Sequence, residues 1–169
     1  MSGVWSRQRY LITSLVLLLI LFLRTTFSDV FQMILAVPAG VITAKFFGTD
    51  FAILPGYVVQ IYGRLFTVNV TGACSAGFFF ALVFSILFGL FFMQKRKWLW
   101  WLPFFAIIIT IFVNVLRLIL VIYCGALFDG VLDPYWQLKM HLVLGIFVFL
   151  PSLILISYIF ERMCSDERQ

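Results

Sequence analysis

Three residues able to do chemistry interrupt otherwise apolar runs of this sequence: Cys74, Arg117 and His141. A cysteine becomes nucleophilic as the thiolate, which a neighbouring histidine or positive charge favours. Histidine exchanges a proton near neutral pH, and the five donors of arginine suit a developing oxyanion. The set predicts acyl transfer through a thioester, with Cys74 as nucleophile, Arg117 as oxyanion stabiliser and His141 as acid and base.

Each of these residues also has an ordinary structural interpretation. A cysteine in an apolar run can be a small apolar filler, Arg117 could anchor a helix end, and His141 could be an interfacial hydrogen-bonding group. Cys124 follows Arg117 by seven residues and so lies on the same helical face. It is the rival nucleophile, or a disulfide partner of Cys74. The sequence has no Cys-x-x-Cys pair, phosphate loop or cluster of metal ligands, and it predicts no metal and no cofactor.

The composition places these residues in a membrane protein. Of the 169 residues, 64% are hydrophobic and 11% are charged, and the mean hydropathy is +1.12. Soluble domains are about 45–50% apolar and about 25% charged, so a water-soluble globular domain and a disordered chain are both excluded. The net charge of +5 comes from scattered basic residues, too few for nucleic-acid binding. The length predicts a single domain, residues 1–169.

The chain is predicted to be an all-α polytopic membrane protein with about four transmembrane helices. The apolar runs long enough to span are residues 10–27, 72–93, 98–124 and 138–160. The run 29–45 is also apolar but contains Pro38 and Gly40. A span there would separate the basic loop 95–97 from the basic N terminus, against the positive-inside rule. We therefore expect this run to lie as a helix in the outer interface.

The outer-face segment, residues 28–71, is also expected to contain a small β-hairpin. β-branched and aromatic residues fill 57–61 and 65–69, with Gly63 between the two runs and Pro55-Gly56 before them. Because an isolated hairpin is only marginally stable in water, it is expected to pack on the helix ends.

This topology brings the three chemical residues to one depth. Cys74 lies in the first turn of the second span and His141 in the first turn of the fourth. Arg117 lies nineteen residues after Trp98, about 28 Å along the third span at about 1.5 Å per residue. All three are therefore expected near the outer face, with both termini in the cytoplasm.

At these positions the sequence resembles the exosortase/archaeosortase family of membrane-embedded sorting transpeptidases. The matching motifs are residues 71–77 (TGACSAG), residues 114–117 (NVLR), and His141 with Gly145 four residues later. Family members share a cysteine followed by small residues, an Asn-x-x-Arg and a histidine in this order. The family commonly has glycine directly after Cys-Ser, where this chain has Ala76. The short length is similar to the exosortase K-like branch.

The resemblance implies a cysteine transpeptidase or protease, a hydrolase or acyl transferase of the prokaryotic inner membrane that acts in protein sorting. Its substrates would be exported proteins whose C-terminal signal combines a short motif, a transmembrane helix and a basic tail. Cys74 would attack the peptide bond, and an amine or water would accept the acyl group. Asn114 would orient Arg117, and Ser75 would supply a hydrogen bond.

Two other classes of function stay open at this point. The chain could be a non-catalytic membrane assembly or scaffold protein. It could also be a small transporter in which Arg117 is an intramembrane, anion-binding charge.

Overall fold

The computed structural model of the chain describes residues 2–63, 67–71, 76–92, 100–127 and 134–166. Most of this part is helical, and one small antiparallel sheet has the strand order β1-β2-β3. The helices are α1 (Ser2–Thr26), α2 (Ser28–Phe31), α3 (Val37–Phe47), α4 (Gly77–Phe92), α5 (Leu102–Leu127) and α6 (Pro134–Asp166). A π-helical segment, Gln32–Ala36, joins α2 to α3. The strands are β1 (Asp50–Leu54), β2 (Val58–Tyr62) and β3 (Thr67–Val70).

Three helical stretches are long and apolar enough to cross a membrane: Ser28–Phe47, Leu102–Leu127 and Leu142–Arg162. Two further apolar helical stretches are shorter, Leu11–Thr26 and Gly77–Gly89. These lengths and compositions are compatible with a multi-pass membrane protein.

Two of the four predicted spans, 98–124 and 138–160, coincide with the long apolar helices α5 and α6. The predicted spans 10–27 and 72–93 are helical over most of their described residues. Among the side chains that the structure describes, their apolar stretches are Leu11–Thr26 and Gly77–Gly89. The number of long apolar helices is therefore three in the described part of the chain, and one of them was not among the predicted spans.

That additional stretch is Ser28–Phe47, a helical segment of 20 residues that includes the whole run 29–45. Pro38 is the second residue of α3, directly after the π-helical segment, and the helical stretch continues through it. The helix ends at Gly48, whose φ of 61° is a left-handed conformation that glycine adopts without a steric penalty. Pro38 and Gly40 therefore do not argue against a span, and only the distribution of charge does.

The first of two hydrophobic cores, the bundle core, lies among α1, α4, α5 and α6. Helix α1 packs on α4, and α4, α5 and α6 pack on one another. Buried side chains from all four helices meet there, among them Ile20, Phe79, Leu87, Ala106 and Val148.

The second core, the sheet core, lies between the sheet, α3 and the second half of α5. Pairing of Val59 with Val70 and of Ile61 with Val68 places these apolar side chains on one face of the sheet, as the two-residue period of a strand requires. That face packs against Leu118 of α5 and the small residues of α3. The sheet is thus fixed to α5 at the level of residues 118–122.

The predicted hairpin is present as β2 and β3, but the strand β1 was missed. Asp50–Leu54 lacks a regular alternation of polar and apolar residues, so its pattern alone did not indicate a strand. The turn from β1 to β2 is left-handed at Gly56 and Tyr57, which have φ of 76° and 58°. The buried amide of Gln32 donates to the Tyr57 carbonyl at 3.2 Å, which attaches this turn to the π-helical segment.

Gly40 allows α3 to lie directly on β2, so Gly40→Ala is expected to destabilise the fold. An added Cβ would lie 2.9 Å from the Val59 Cβ and 3.0 Å from its Cγ1. Because Val59 is held in the middle strand, it cannot move cheaply. Overpacking costs about 1–3 kcal/mol, and alanine regains up to about 1 kcal/mol of helix propensity. Thermal unfolding of the purified protein in detergent should therefore show a net loss of about 1–2 kcal/mol.

Gly125→Ala is the matched control, because a Cβ at this position of α5 meets nothing within 4 Å. Its stability should be unchanged or slightly raised. Equal melting temperatures for the two variants would contradict close packing of α3 on β2.

Candidate functional site

A buried polar stripe runs along one face of α5. It consists of Thr110, Asn114 and Arg117, which follow one another at helical spacings of four and three residues. Thr110 and Asn114 are fully buried and Arg117 is 7% exposed. Polar groups in such an apolar helix are costly and commonly serve a function. The spacing places the three residues on one face of α5, and their burial shows that this face points into the protein.

The Arg117 side chain lies across α6. A Cβ added to Gly145 would come within 3.2 Å of the Arg117 Nε, so the arginine lies close to the backbone of α6, and an alanine there would push its side chain away by a few tenths of an ångström. One turn further along α6, the Phe149 ring centroid is 5.4 Å from the Arg117 Cζ, within the range of a cation–π interaction. Arg117 is therefore held inside the bundle by α6, and it does not lie at a helix end as an exposed anchor.

The start of α4 contacts the Phe149 ring, on the same residue that faces Arg117. Phe79, the third residue of α4, stacks on Phe149 with ring centroids 4.7 Å apart and an interplanar angle of 20°. Phe79 is 2% exposed. The contacts Arg117–Phe149 and Phe149–Phe79 thus join α5, α6 and the first turn of α4, and these three residues together are called the Arg117 cluster below.

The predicted nucleophile, Cys74, and Ser75 lie outside the described residues. The described chain resumes at Ala76, which is buried in the bundle core and accepts a hydrogen bond from the Phe80 N–H at 2.9 Å. Its φ is 53°, a left-handed conformation that costs an alanine about 1–2 kcal/mol. Cys74 is therefore two residues from a strained backbone position and five residues from Phe79.

The predicted acid and base, His141, lies in α6, and its side chain is outside the described part. Its position precedes Gly145 by four residues, which is about one helical turn. Cys124 is a partly buried free thiol on α5, seven residues beyond Arg117. Among the described side chains, no three His, Cys, Asp or Glu residues are close enough together to hold a metal ion.

Of the predicted site residues, Asn114 and Arg117 are thus described in full, and the structure turns both into the bundle. Thr110, Phe79 and Phe149 were missed. The four-residue spacing from Thr110 to Asn114 could have indicated the first of these. Nothing in a sequence with 21 phenylalanines distinguishes the other two.

The Arg117 cluster can fix a positive charge in one orientation. A guanidinium is planar, weakly hydrated and always charged, so its face can stack on an aromatic ring while its edge donates hydrogen bonds. In surroundings of low dielectric constant, a cation held in this way stabilises a developing negative charge far more than it would in water.

Comparison of the chain with family models, with curated proteins and with solved structures finds no match in any of the three. The resemblance to exosortases therefore stays a prediction from the residues.

Proposed function

We propose that this chain is a membrane-embedded cysteine transpeptidase or protease, similar to exosortases, that cleaves the C-terminal sorting signals of exported proteins. Cys74 attacks the peptide bond, Arg117 binds the oxyanion of the tetrahedral intermediate, and His141 exchanges the proton with the thiol and the leaving amine. The observation that carries the proposal is the enclosure of Arg117 by Gly145 and Phe149.

The described contacts draw together the segments that carry the three motifs. Phe79 follows Cys74 by five residues, Arg117 belongs to the second motif, and Gly145 and Phe149 follow His141 on α6. The Arg117 cluster joins the first turn of α4 to α5 and α6, which supports a site shared by these three helices and the chain that precedes α4. Asn114, one turn before Arg117 and fully buried, supports the arginine from its own helix.

The sheet core supports a site at a membrane surface. An open sheet edge is not tolerated in hydrocarbon, since its backbone groups would lack hydrogen bonds. The sheet packs on α5 at Leu118 and Ile122, directly beyond Arg117. In this proposal, that level of α5 is the outer interface. Arg117 lies about 23 Å from the start of α5 at Leu102, at about 1.5 Å per residue.

The same packing supports an interfacial position for Ser28–Phe47, which shares the sheet core with α5. The four crossings are then α1, α4, α5 and α6. Both termini are cytoplasmic, and Cys74, Arg117 and His141 lie at the outer face.

Trapping the acyl-enzyme with hydroxylamine tests the proposed function, and the test works with any substrate that forms a thioester. Hydroxylamine attacks a thioester at its carbonyl and leaves a hydroxamate at the new C terminus of the substrate. Membranes containing the full chain and exported proteins should therefore yield C-terminal hydroxamate peptides, measured by mass spectrometry. These should all end shortly before an apolar segment.

The cysteine variants provide the controls. Membranes with Cys124→Ala should give the wild-type yield of hydroxamate, and membranes with Cys74→Ala should give none. The absence of hydroxamate peptides from wild-type membranes that contain the folded protein would refute the acyl-transfer proposal.

A further inference from the structure

We propose that Phe149 is a positioning residue that orients the guanidinium of Arg117 for oxyanion binding. This inference rests on the proposed function for its catalytic consequence. The contact on which it depends can be tested separately.

Arg117 meets α6 at two consecutive turns of that helix. At Gly145 only backbone is present, and the Nε approaches to 3.2 Å from the place where a Cβ would be. At Phe149 the ring lies 5.4 Å from the Cζ. Residues four apart lie on one helical face, so the arginine side chain runs along α6 between a space without a side chain and an aromatic ring. The Cζ and Nη2 of the guanidinium also lie 3.8 Å from that Cβ position, so the ring forms one boundary of the guanidinium's place on α6.

The ring of Phe149 is itself fixed by α4. It stacks on Phe79, which is 2% exposed and belongs to the bundle core. Phe79 lies three residues after Ala76, where the chain enters α4. A movement of Phe149 would therefore change the position of Arg117 relative to the first turn of α4.

The attraction between Arg117 and Phe149 is electrostatic and exceeds simple filling of space. A cation is drawn to the negative face of an aromatic ring, and this attraction strengthens when both groups are removed from water. Arg117 is 7% exposed, so its charge is largely desolvated. An aliphatic residue of similar volume would fill the space and would not attract the charge.

The experiment for the contact uses fluorinated phenylalanines incorporated at position 149 of the full chain. One, two and three ring fluorines progressively weaken the negative ring face and change the shape of the side chain little. The melting temperature in detergent should fall stepwise along the series in the wild-type background. In an Arg117→Met background the stepwise fall should be absent, since no cation is then present and only the effect of fluorine on the Phe79 stack remains. A steric role alone would give the same small change in both backgrounds.

The experiment for positioning uses membranes treated with hydroxylamine and measures the rate at which C-terminal hydroxamate peptides form. Phe149→Leu should lower this rate about 10-fold, the equivalent of a partly desolvated cation–π interaction. Phe149→Tyr should restore most of the rate, because it keeps the aromatic face. Phe147→Leu is the matched control on α6, since Phe147 is 72% exposed and points away from the bundle core.

The two readouts separate the possible failures. A fluorine trend that is the same with and without Arg117 overturns the contact. A trend that depends on Arg117, together with an unchanged hydroxamate rate in Phe149→Leu, overturns the positioning role. The same trend without any hydroxamate in the wild type overturns the proposed function and the positioning role with it, and leaves only the contact.

Discussion

Replacing Arg117 by glutamine is expected to lower the rate of substrate processing by about 10²–10³-fold, the effect of removing one oxyanion donor. Glutamine is neutral and shorter, so it neither supplies the positive charge nor reaches the Phe149 ring. The bundle should still form, because the substitution removes a desolvated charge and places a smaller side chain against Gly145. The rate is measured as hydroxamate formation in membranes, at matched protein levels.

Arg117→Lys separates charge from geometry at the same position. Lysine keeps the positive charge but loses the planar group that stacks on the ring and its fixed set of donors. Its rate is expected to lie between those of glutamine and arginine.

Arg24→Gln is the matched control for Arg117→Gln. Arg24 lies in the last turn of the apolar helix α1 and is partly exposed, which suits an arginine that anchors a helix at the interface. Its loss should leave the processing rate nearly unchanged. Equal rates for Arg117→Gln and the wild type would make Arg117 a structural cation. Loss of anion flux into liposomes with Arg117→Gln, at an unchanged processing rate, would favour the transporter interpretation.

The long apolar runs predicted most of the helices, because sustained hydrophobicity is a direct requirement of a spanning helix. Hydrophobicity alone could not decide whether Ser28–Phe47 crosses the membrane or lies in the interface. The segment is apolar enough to span, yet it packs on the sheet. Strand β1 was missed for a related reason. Its pairing with β2, from Asp50 with Tyr62 to Leu54 with Val58, is a tertiary property that five residues of sequence do not encode.

The candidate site was predictable where a residue type is costly in an apolar environment. Arg117 and Asn114 could be recognised because polar groups are rare in this chain, and 11% of its residues are charged. Phe79 and Phe149 could not, because phenylalanine is the expected residue almost anywhere in an apolar helix. Their importance depends on how α4, α5 and α6 pack, and no local pattern gives that arrangement.

Ala76 occupies a backbone conformation that is unusual for its residue type. Its φ of 53° lies in the left-handed region that favours glycine. The backbone immediately after Ser75 thus adopts a conformation suited to glycine although the residue is alanine. Such strain persists only where surrounding packing holds it, and Ala76 is buried in the bundle core.

Replacing Cys74 by alanine is expected to abolish processing, with a loss on the order of 10⁶-fold, because the proposed acyl intermediate forms on its sulfur. The protein should still insert and accumulate, since the bundle core is built from apolar side chains of α1, α4, α5 and α6 and the substitution removes a single sulfur atom. Processing is followed in cells by mass spectrometry of new C termini on exported membrane-anchored proteins. Accumulation of the variant is followed by its abundance in membranes.

Cys124→Ala is the control that tests the choice of nucleophile. Cys124 is a partly buried thiol on the same helix as Arg117, so a site built around α5 alone would use it in place of Cys74. The Cys124→Ala protein should process substrates at the wild-type rate. Its remaining outer thiol, Cys74, should react with a membrane-impermeant maleimide added to intact cells. If Cys74→Ala processes substrates fully and Cys124→Ala does not, the nucleophile is Cys124. If both variants process substrates fully, the scaffold interpretation is favoured.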